Sequence, residues 1–147
     1  MVSERQRSQE LHYETPVFDT KEETDENYNS TVEQVIQAIS TTHPGSSIMI
    51  ASHNQESVER AVKKMTEVGL QKQSGSVFFA QLLGMSDNLT FTLGSSGYQV
   101  YKYVPYGPVD MVVPYLLRRA EENSDVLGSV SVELSLLRQE LKRRLLG

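Results

Sequence analysis

Three short apolar runs, separated by segments with a helical pattern, constrain the fold of this chain more than any other feature. The runs are SSIMIAS at 46–52, SVFFAQLLGM at 76–85 and YQVYKYVPY at 98–106. The first two are apolar at consecutive positions, which is typical of strands buried on both faces. Such strands, joined by helical crossovers, predict a parallel sheet covered by helices and therefore an α/β fold.

The segments around these runs predict helices. Apolar residues recur every three or four positions from about Asp25 to Ile39, and a second stripe follows Asn54, a good helix cap, and ends at Gly69. The polar stretch 12–31 is predicted to be largely a connection. Further helices are predicted near the N-terminus (SERQRSQEL), within 86–97, from about Pro108 to Asn123, and over 130–146.

Composition excludes several classes of function. The net charge of −5 leaves no basic surface for nucleic acid. There are no cysteines, and the histidines at 12, 43 and 53 are too far apart for a metal motif. No apolar run has the length of a membrane span, and the charged N-terminus is not a secretory signal. We therefore expect a globular domain without a structural metal.

Polar residues follow each predicted strand. Ser52, His53 and Asn54 follow the first run, Gln81 to Met85 end the second, and Tyr103 to Gly107 end the third. The carboxyl ends of parallel strands share one edge of the sheet, where ligands of such folds bind. The pattern leaves open whether His53 contacts a ligand or only bonds a neighbouring loop.

The segment PYLLRRAEEN at 114–123 places two adjacent arginines in a predicted helix. Tyr115, Arg118, Arg119 and Glu122 fall within a sector of about 100°. Two guanidinium groups there would bind a carboxylate bidentately. The alternative is a solvated face with an ordinary Arg118–Glu122 pair. A separate apolar stripe is predicted to pack on the sheet: Val109, Val112, Val113, Leu116 and Ala120.

In their order and spacing, ASHN, FFAQLLGM, VYKYVPYGP and PYLLRRAEEN resemble the C-terminal part of the proline dehydrogenase family, in its animal mitochondrial form. The stretch PVFDTKEETDENY is similar to the loop and helix that follow the fifth strand in that family. The resemblance runs from near Met1 to about Leu127. Four short motifs in register make it highly specific.

The resemblance implies a (β/α)8 TIM-like barrel that binds FAD and oxidises L-proline to Δ1-pyrroline-5-carboxylate. It further implies transfer of the electrons to membrane quinone, and a place on the matrix side of the mitochondrial inner membrane with peripheral association. It gives this chain no targeting segment of its own. Hydroxyproline dehydrogenase is the alternative activity within the same family.

The resemblance also assigns roles to the residues singled out above. Arg118 and Arg119 would hold the substrate carboxylate, with Glu122 orienting an arginine. Tyr103, Tyr115 and Leu82 would surround the proline ring, and Ser52 with His53 would contact the flavin. Relatives that oxidise hydroxyproline tend to carry serine at the position of Tyr103, so the tyrosine favours proline.

This barrel needs eight strands and about 250 residues, whereas this chain corresponds to the part after the fifth strand. We therefore expect a partial catalytic domain over 1–147. Its parts are a helix, loop and helix at 1–45, the last three strands with their site residues at 46–127, and an amphipathic helix at 128–147. Three strands leave two open edges. Two alternatives remain: a non-catalytic module that self-associates or binds a partner, and an unrelated α/β module that captures another carboxylate.

Overall fold

The computed structural model describes the backbone of residues 2–122 and 127–146 and the side chains of residues 4–119 and 134–145. Helices and strands alternate through the middle of the chain, as the apolar runs predicted. The elements are α1 (Val2–Leu11), α2 (Lys21–Thr41), β1 (Ile48–Ala51), α3 (Gln55–Glu67), β2 (Val77–Leu82), α4 (Asp87–Ser95), β3 (Val100–Tyr103), α5 (Val109–Glu122) and α6 (Leu127–Leu146).

The strands of the described chain form one parallel sheet in the order β1-β2-β3. In the register of this sheet, Ile50 pairs with Phe79, and Phe79 pairs with Val100. These three residues therefore lie side by side across the three strands. Each strand is shorter than its apolar run because the run extends beyond the strand at both ends. The parallel carboxyl ends therefore meet at one edge, as expected.

Helices cover one face of the sheet and form the core with it. Side chains from α2, α3 and α4 pack against alternate residues of the three strands. Phe79 is 0% exposed and meets the ring of Tyr98 edge to face, at 5.9 Å between centroids. Other buried members of this cluster are Val32, Ile36, Ile50, Val58, Ala61, Met65, Val77 and Leu93. Burial of these side chains is the main stabilising contribution to this part of the chain.

The opposite face of the sheet remains open, and we call it the open face. Alternation along the strands places Met49, Phe78, Tyr101 and Tyr103 there. Met49 is 57% exposed, and Tyr101 is also exposed although its ring lies 5.9 Å from that of Phe78. The prediction that the first run is buried on both faces was therefore wrong, because one layer of helices leaves a large apolar area of the sheet uncovered.

Helix α2 begins four residues earlier than expected. The hydroxyl of Thr20 accepts the backbone N–H of Glu23, and the carboxylate of Glu23 accepts the N–H of Thr20. This capping box satisfies two N–H groups at the helix start. The prediction of a start near Asp25 was wrong because it followed the apolar stripe alone, whereas the motif TKEE at 20–23 marks the start directly.

The apolar stripe of α5 does not pack on the sheet, which corrects the prediction made for it. Val109 is 75% exposed, and Val113 and Leu116 are exposed as well. The side chain of Ala120 lies outside the described residues. Periodicity correctly predicted a helix here, even with Pro114 inside it. It indicates that a face is suited to burial, but it does not identify the element that buries it.

Helix α6 is amphipathic in sequence, and its apolar side chains that the structure describes are mostly exposed. Leu134, Leu137, Leu141 and Leu145 all remain accessible to solvent.

In the part of the chain that the structure describes, none of the helices combines the length and the apolar character needed to cross a bilayer.

Candidate binding cleft at the ends of the strands

A cleft of about 560 Å³ opens at the carboxyl ends of the three strands, against the open face. It contains five of the eight residues to which the family resemblance assigns a site role, and these five come from four separate elements or turns. The lining residues are Met49, Ala51, Ser52, His53, Ala80, Gln81, Leu82, Tyr101, Lys102, Tyr103 and Tyr115. The wall is mainly apolar and aromatic with a few polar groups, as in typical small-molecule sites.

His53 links the ends of β1 and β2. Its Nε2 accepts the backbone N–H of Leu82 at 3.0 Å. An imidazole that accepts at Nε2 is neutral and carries its proton on Nδ1, which leaves one donor for other partners. Burial and then the positive charge of Lys102 lower the pKa of His53 below its ordinary 6.5. His53 is therefore a neutral donor in this position at physiological pH.

Gln81, which belongs to the predicted strand end 81–85, forms a second link with Thr90, to which the sequence assigned no role. The amide nitrogen of Gln81 donates to the carbonyl of Ser52 at 3.4 Å, and its oxygen accepts the Thr90 hydroxyl at 2.9 Å. Gln81 is buried, so both bonds are made away from bulk water. The glutamine within the apolar run at 76–85 was the available signal, because a polar residue inside a buried strand needs a partner.

Lys102 is the other polar residue inside an apolar strand. Its ammonium group donates to the backbone carbonyls of Leu82 and Met85 and forms an ion pair with Asp87. The turn after β2 is thereby tied to the end of β3. The sequence pattern gave Lys102 no role, although this residue lies beside Tyr103 in YKY.

Tyr103 and Tyr115 bring α5 to the cleft. Their rings lie 6.2 Å apart, and the hydrogen bond between the two hydroxyls raises the pKa of Tyr103. The guanidinium carbon of Arg119 lies 5.3 Å from the centre of the Tyr115 ring. This cation–π contact fixes Arg119 beside the cleft.

The remaining predicted site residues lie further out. Arg118 is exposed, and neither it nor Arg119 is part of the cleft lining. Arg119 is half-buried, so the two adjacent arginines lie in different environments. The side chain of Glu122 lies outside the described residues. The arrangement thus combines aromatic walls, a neutral donor and a nearby arginine, which suits a small ring that carries an anionic group.

Because the pKa of His53 is lowered by folding, the stability of the chain is expected to depend on pH. The unfolded chain binds this proton more readily, so the contribution is fully present above about pH 6.5 and is lost as the pH falls towards the folded pKa. His53→Gln keeps an acceptor but does not titrate. We expect the melting temperature of the wild type to fall more than that of this variant between about pH 7.5 and about pH 5.5.

His12 and His43 are the same in both proteins, so a difference between the two melting curves reports on position 53. Equal losses of melting temperature in the two proteins, measured by thermal denaturation in matched buffers, would show that His53 is not responsible.

Comparison with known proteins connects this geometry with a family. The family model described as proline dehydrogenase matches residues 1–132. Similar curated proteins include hydroxyproline dehydrogenase of Xenopus laevis, 47% identical over 99% of this chain and 31% of that protein. Mitochondrial proline dehydrogenase 1 of Homo sapiens is 44% identical over 99% of this chain and 24% of that protein.

Among solved structures, proline utilization A from Bdellovibrio bacteriovorus, inactivated by N-propargylglycine, superposes with a TM-score of 0.70 at 24% identity. The match covers 83% of this chain and 12% of that one. At this level of identity the likeness concerns the fold alone. It agrees with the expected α/β architecture, the C-terminal part of a TIM-like barrel.

The fold and the cleft thus define an α/β protein of the barrel type, with a candidate site at the carboxyl ends of its strands. The chain belongs to the proline dehydrogenase family. It spans about a quarter to a third of the length of the curated relatives described above.

Proposed function

We propose that this chain contributes the substrate-binding end of a flavin-dependent enzyme that oxidises L-proline to Δ1-pyrroline-5-carboxylate, the first step of proline catabolism. The observation that carries the proposal is that Ser52, His53, Leu82, Tyr103 and Tyr115 line one cleft although 63 residues of sequence separate the first from the last. Family membership supplies the reaction class.

In this proposal the arginines of α5 bind the carboxylate of proline. Arg119 lies against Tyr115, and Arg118 is adjacent to it with its side chain in solvent. A guanidinium group presents two parallel donors to a carboxylate, and a pair of them also neutralises its charge. Tyr103, Tyr115 and Leu82 would then exclude water from the ring and hold it in one orientation.

Ser52 and His53 are the residues that would hold FAD. His53 fits this role because Nδ1 carries the proton while Nε2 is engaged with Leu82, so a donor remains for a ring nitrogen or carbonyl of the flavin. When bound, the flavin supplies the redox chemistry by accepting a hydride equivalent from the proline ring. The chain's own residues bind and orient the substrate.

The remaining features of the proposal follow the family. Electrons would pass to membrane quinone, and the protein would act in mitochondria, on the matrix side of the inner membrane in peripheral association with it. The Homo sapiens relative described above is named as a mitochondrial proline dehydrogenase. We further propose that the five strands preceding this segment in the family complete the barrel over the open face.

Protection against heat by L-proline tests the binding proposal. A suitable sample is a chimera in which this chain replaces the stretch that it matches in the Xenopus laevis relative. L-proline should raise the melting temperature of the chimera in a concentration-dependent manner, because a ligand that binds only the folded state stabilises it. L-prolinamide keeps the ring and lacks the carboxylate, so it should protect far less. Equal protection by both compounds would contradict the proposed carboxylate site.

Tyr103 is proposed to favour proline over hydroxyproline by filling the space that an added hydroxyl would need. In the chimera, Tyr103→Ser should shift relative affinity towards 4-hydroxyproline by about tenfold or more, since pocket contacts of this size discriminate by that order. Competition between the two amino acids in the thermal assay measures the shift. The matched control is Tyr106→Ser, whose side chain is almost fully exposed. An unchanged preference in Tyr103→Ser would contradict this role.

A second candidate function is that of a self-associating or partner-binding module. The open face favours it, because Met49 and Tyr101 are exposed and β1 and β3 are at the edges of the described sheet. Analytical ultracentrifugation of the purified chain distinguishes the two. Oligomers that dissociate after Met49→Lys would support self-association through the open face. A monodisperse monomer with a cooperative melt would argue against this function.

A further inference from the structure

Lys102 is unusually well buried for a lysine, since its side chain is only 18% exposed. It lies on β3 with Val100, on the side of the sheet that faces the helices. An aliphatic residue at this position would be buried without the cost of desolvating a charge. The bonds of the Lys102 ammonium group therefore have to offset this cost.

Those bonds converge on a single turn. The ammonium nitrogen lies 2.6 Å from the carbonyl oxygen of Met85, 3.4 Å from that of Leu82 and 2.8 Å from a carboxylate oxygen of Asp87. An ammonium group has three protons, and three acceptors surround it here. The turn of residues 82–87 therefore binds Lys102 much as a loop of carbonyls binds a small cation.

The turn has a backbone that calls for such support. Gly84 and Ser86 both have positive φ, 79° and 50°. The left-handed region is unfavourable for a serine, and here the side chain of Ser86 makes no capping bond to α4. The one backbone bond closing the start of the turn is from Met85 N–H to the Leu82 carbonyl at 3.1 Å. Lys102 donates to that same carbonyl.

The same turn is bonded to two residues of the cleft. The N–H of Leu82 donates to His53, and the N–H of Leu83 donates to the carbonyl of Tyr103 at 3.0 Å. A displacement of the turn would move Leu82 away from the cleft wall and remove the partner of His53. The position of the cleft residues thus depends on the turn.

We propose that Lys102 is a positioning residue of the cleft, whose ammonium group holds the turn of residues 82–87 and through Leu82 fixes the imidazole of His53. Its charge also opposes protonation of that imidazole, which keeps Nε2 available as an acceptor. Other charged groups at this end come from three helices: Asp87 of α4 pairs with Lys102, Asp25 of α2 accepts from Asn54, and Arg119 of α5 lies against Tyr115.

NMR on the purified chain tests this proposal without any ligand. In Lys102→Met, the imidazole pKa of His53 should rise, and the amides of Leu82 and Met85 should exchange with solvent about tenfold faster. Lys102→Arg keeps the charge and should hold the pKa of His53 near its wild-type value. An unchanged titration of His53 together with unchanged exchange in Lys102→Met would overturn the proposal.

Lys72→Met is the matched control. Lys72 also donates to a backbone carbonyl, that of Ser96, and lies over the ring of Tyr98, away from the cleft. The Lys72→Met variant should leave the titration of His53 unchanged. If Lys72→Met produced the same changes as Lys102→Met, the effect would be general destabilisation and the proposal would be wrong.

A measurement on the wild-type chain keeps the test independent of variant folding. The side-chain ammonium protons of Lys102 should exchange slowly enough to be observed and should show contacts to residues 82–87. Rapid exchange without such contacts would contradict the proposal.

The proposal also has a consequence for proline binding, which rests on the proposed function: L-proline should protect the chimera against heat less well when it carries Lys102→Met. The NMR measurements do not rest on that function, so the two proposals can fail separately.

Discussion

Replacement of Arg118 and Arg119 by alanine is expected to abolish protection of the chimera by L-proline. A hydrogen bond to a charged group contributes about 1.5–3 kcal/mol, so the loss of both guanidinium groups should weaken affinity by about 100-fold or more. Protection by L-prolinamide, which lacks the carboxylate, should change little. The measurement is the melting temperature of the chimera as a function of ligand concentration.

The chain offers a matched control for this double variant. Arg143 and Arg144 are also adjacent arginines in a helix, and both pair with Glu140, whose pKa they lower to about 2. Replacing Arg143 and Arg144 by alanine removes two positive charges, as the change at 118 and 119 does. These two positions are far in sequence from the residues that line the cleft. Protection that survives the change at 118 and 119, or that disappears equally in the control, would contradict the proposed clamp.

Phe79→Ala is expected to have the largest effect on folding. The side chain is 0% exposed at the centre of the sheet and packs edge to face with Tyr98. Truncating a buried phenylalanine costs about 3–5 kcal/mol, counting both the lost transfer free energy and the cavity. A domain of this kind is stable by about 5–15 kcal/mol, so this change removes a large fraction of the total.

Phe91→Ala provides the corresponding control, because Phe91 is 72% exposed on α4. Its cost should lie within about 0.5 kcal/mol of zero. Urea denaturation followed by circular dichroism, with the slope compared between variants, measures both free energies of unfolding. Similar losses in the two variants would show that the core is not centred on Phe79.

Local sequence patterns predicted the helices and strands well, because the formation of each helix or strand depends mainly on residues that are close together in the chain. The consecutive apolar residues of 76–85 correctly indicated a buried strand, and the cap at Asn54 correctly indicated the start of α3. The start of α2 was misplaced because the stripe was weighed above the TKEE capping box. Strand ends could be grouped from the sequence because all parallel strands present their carboxyl ends at one edge.

What the sequence did not predict depends on contacts between distant residues. The exposed stripe of α5 could not be foreseen from its period, which is the same whether or not another element covers it. Nor does spacing show that the Nε2 of His53 accepts the N–H of Leu82, or that Lys102 binds a turn 17 to 20 residues earlier in the chain. The roles proposed for Arg118, Arg119 and Glu122 still rest on family resemblance.

The central claim is that this chain carries the substrate-binding end of a flavin enzyme and needs the preceding strands of the family's barrel to work. The visible absorbance of FAD, recorded before and after L-proline is added without oxygen, tests it most directly. We expect the chain alone to leave the spectrum of free FAD unchanged, and the chimera to show bound-flavin bands that proline bleaches. Bleaching by the chain alone, or a flavin-loaded chimera that proline does not reduce, would contradict the claim.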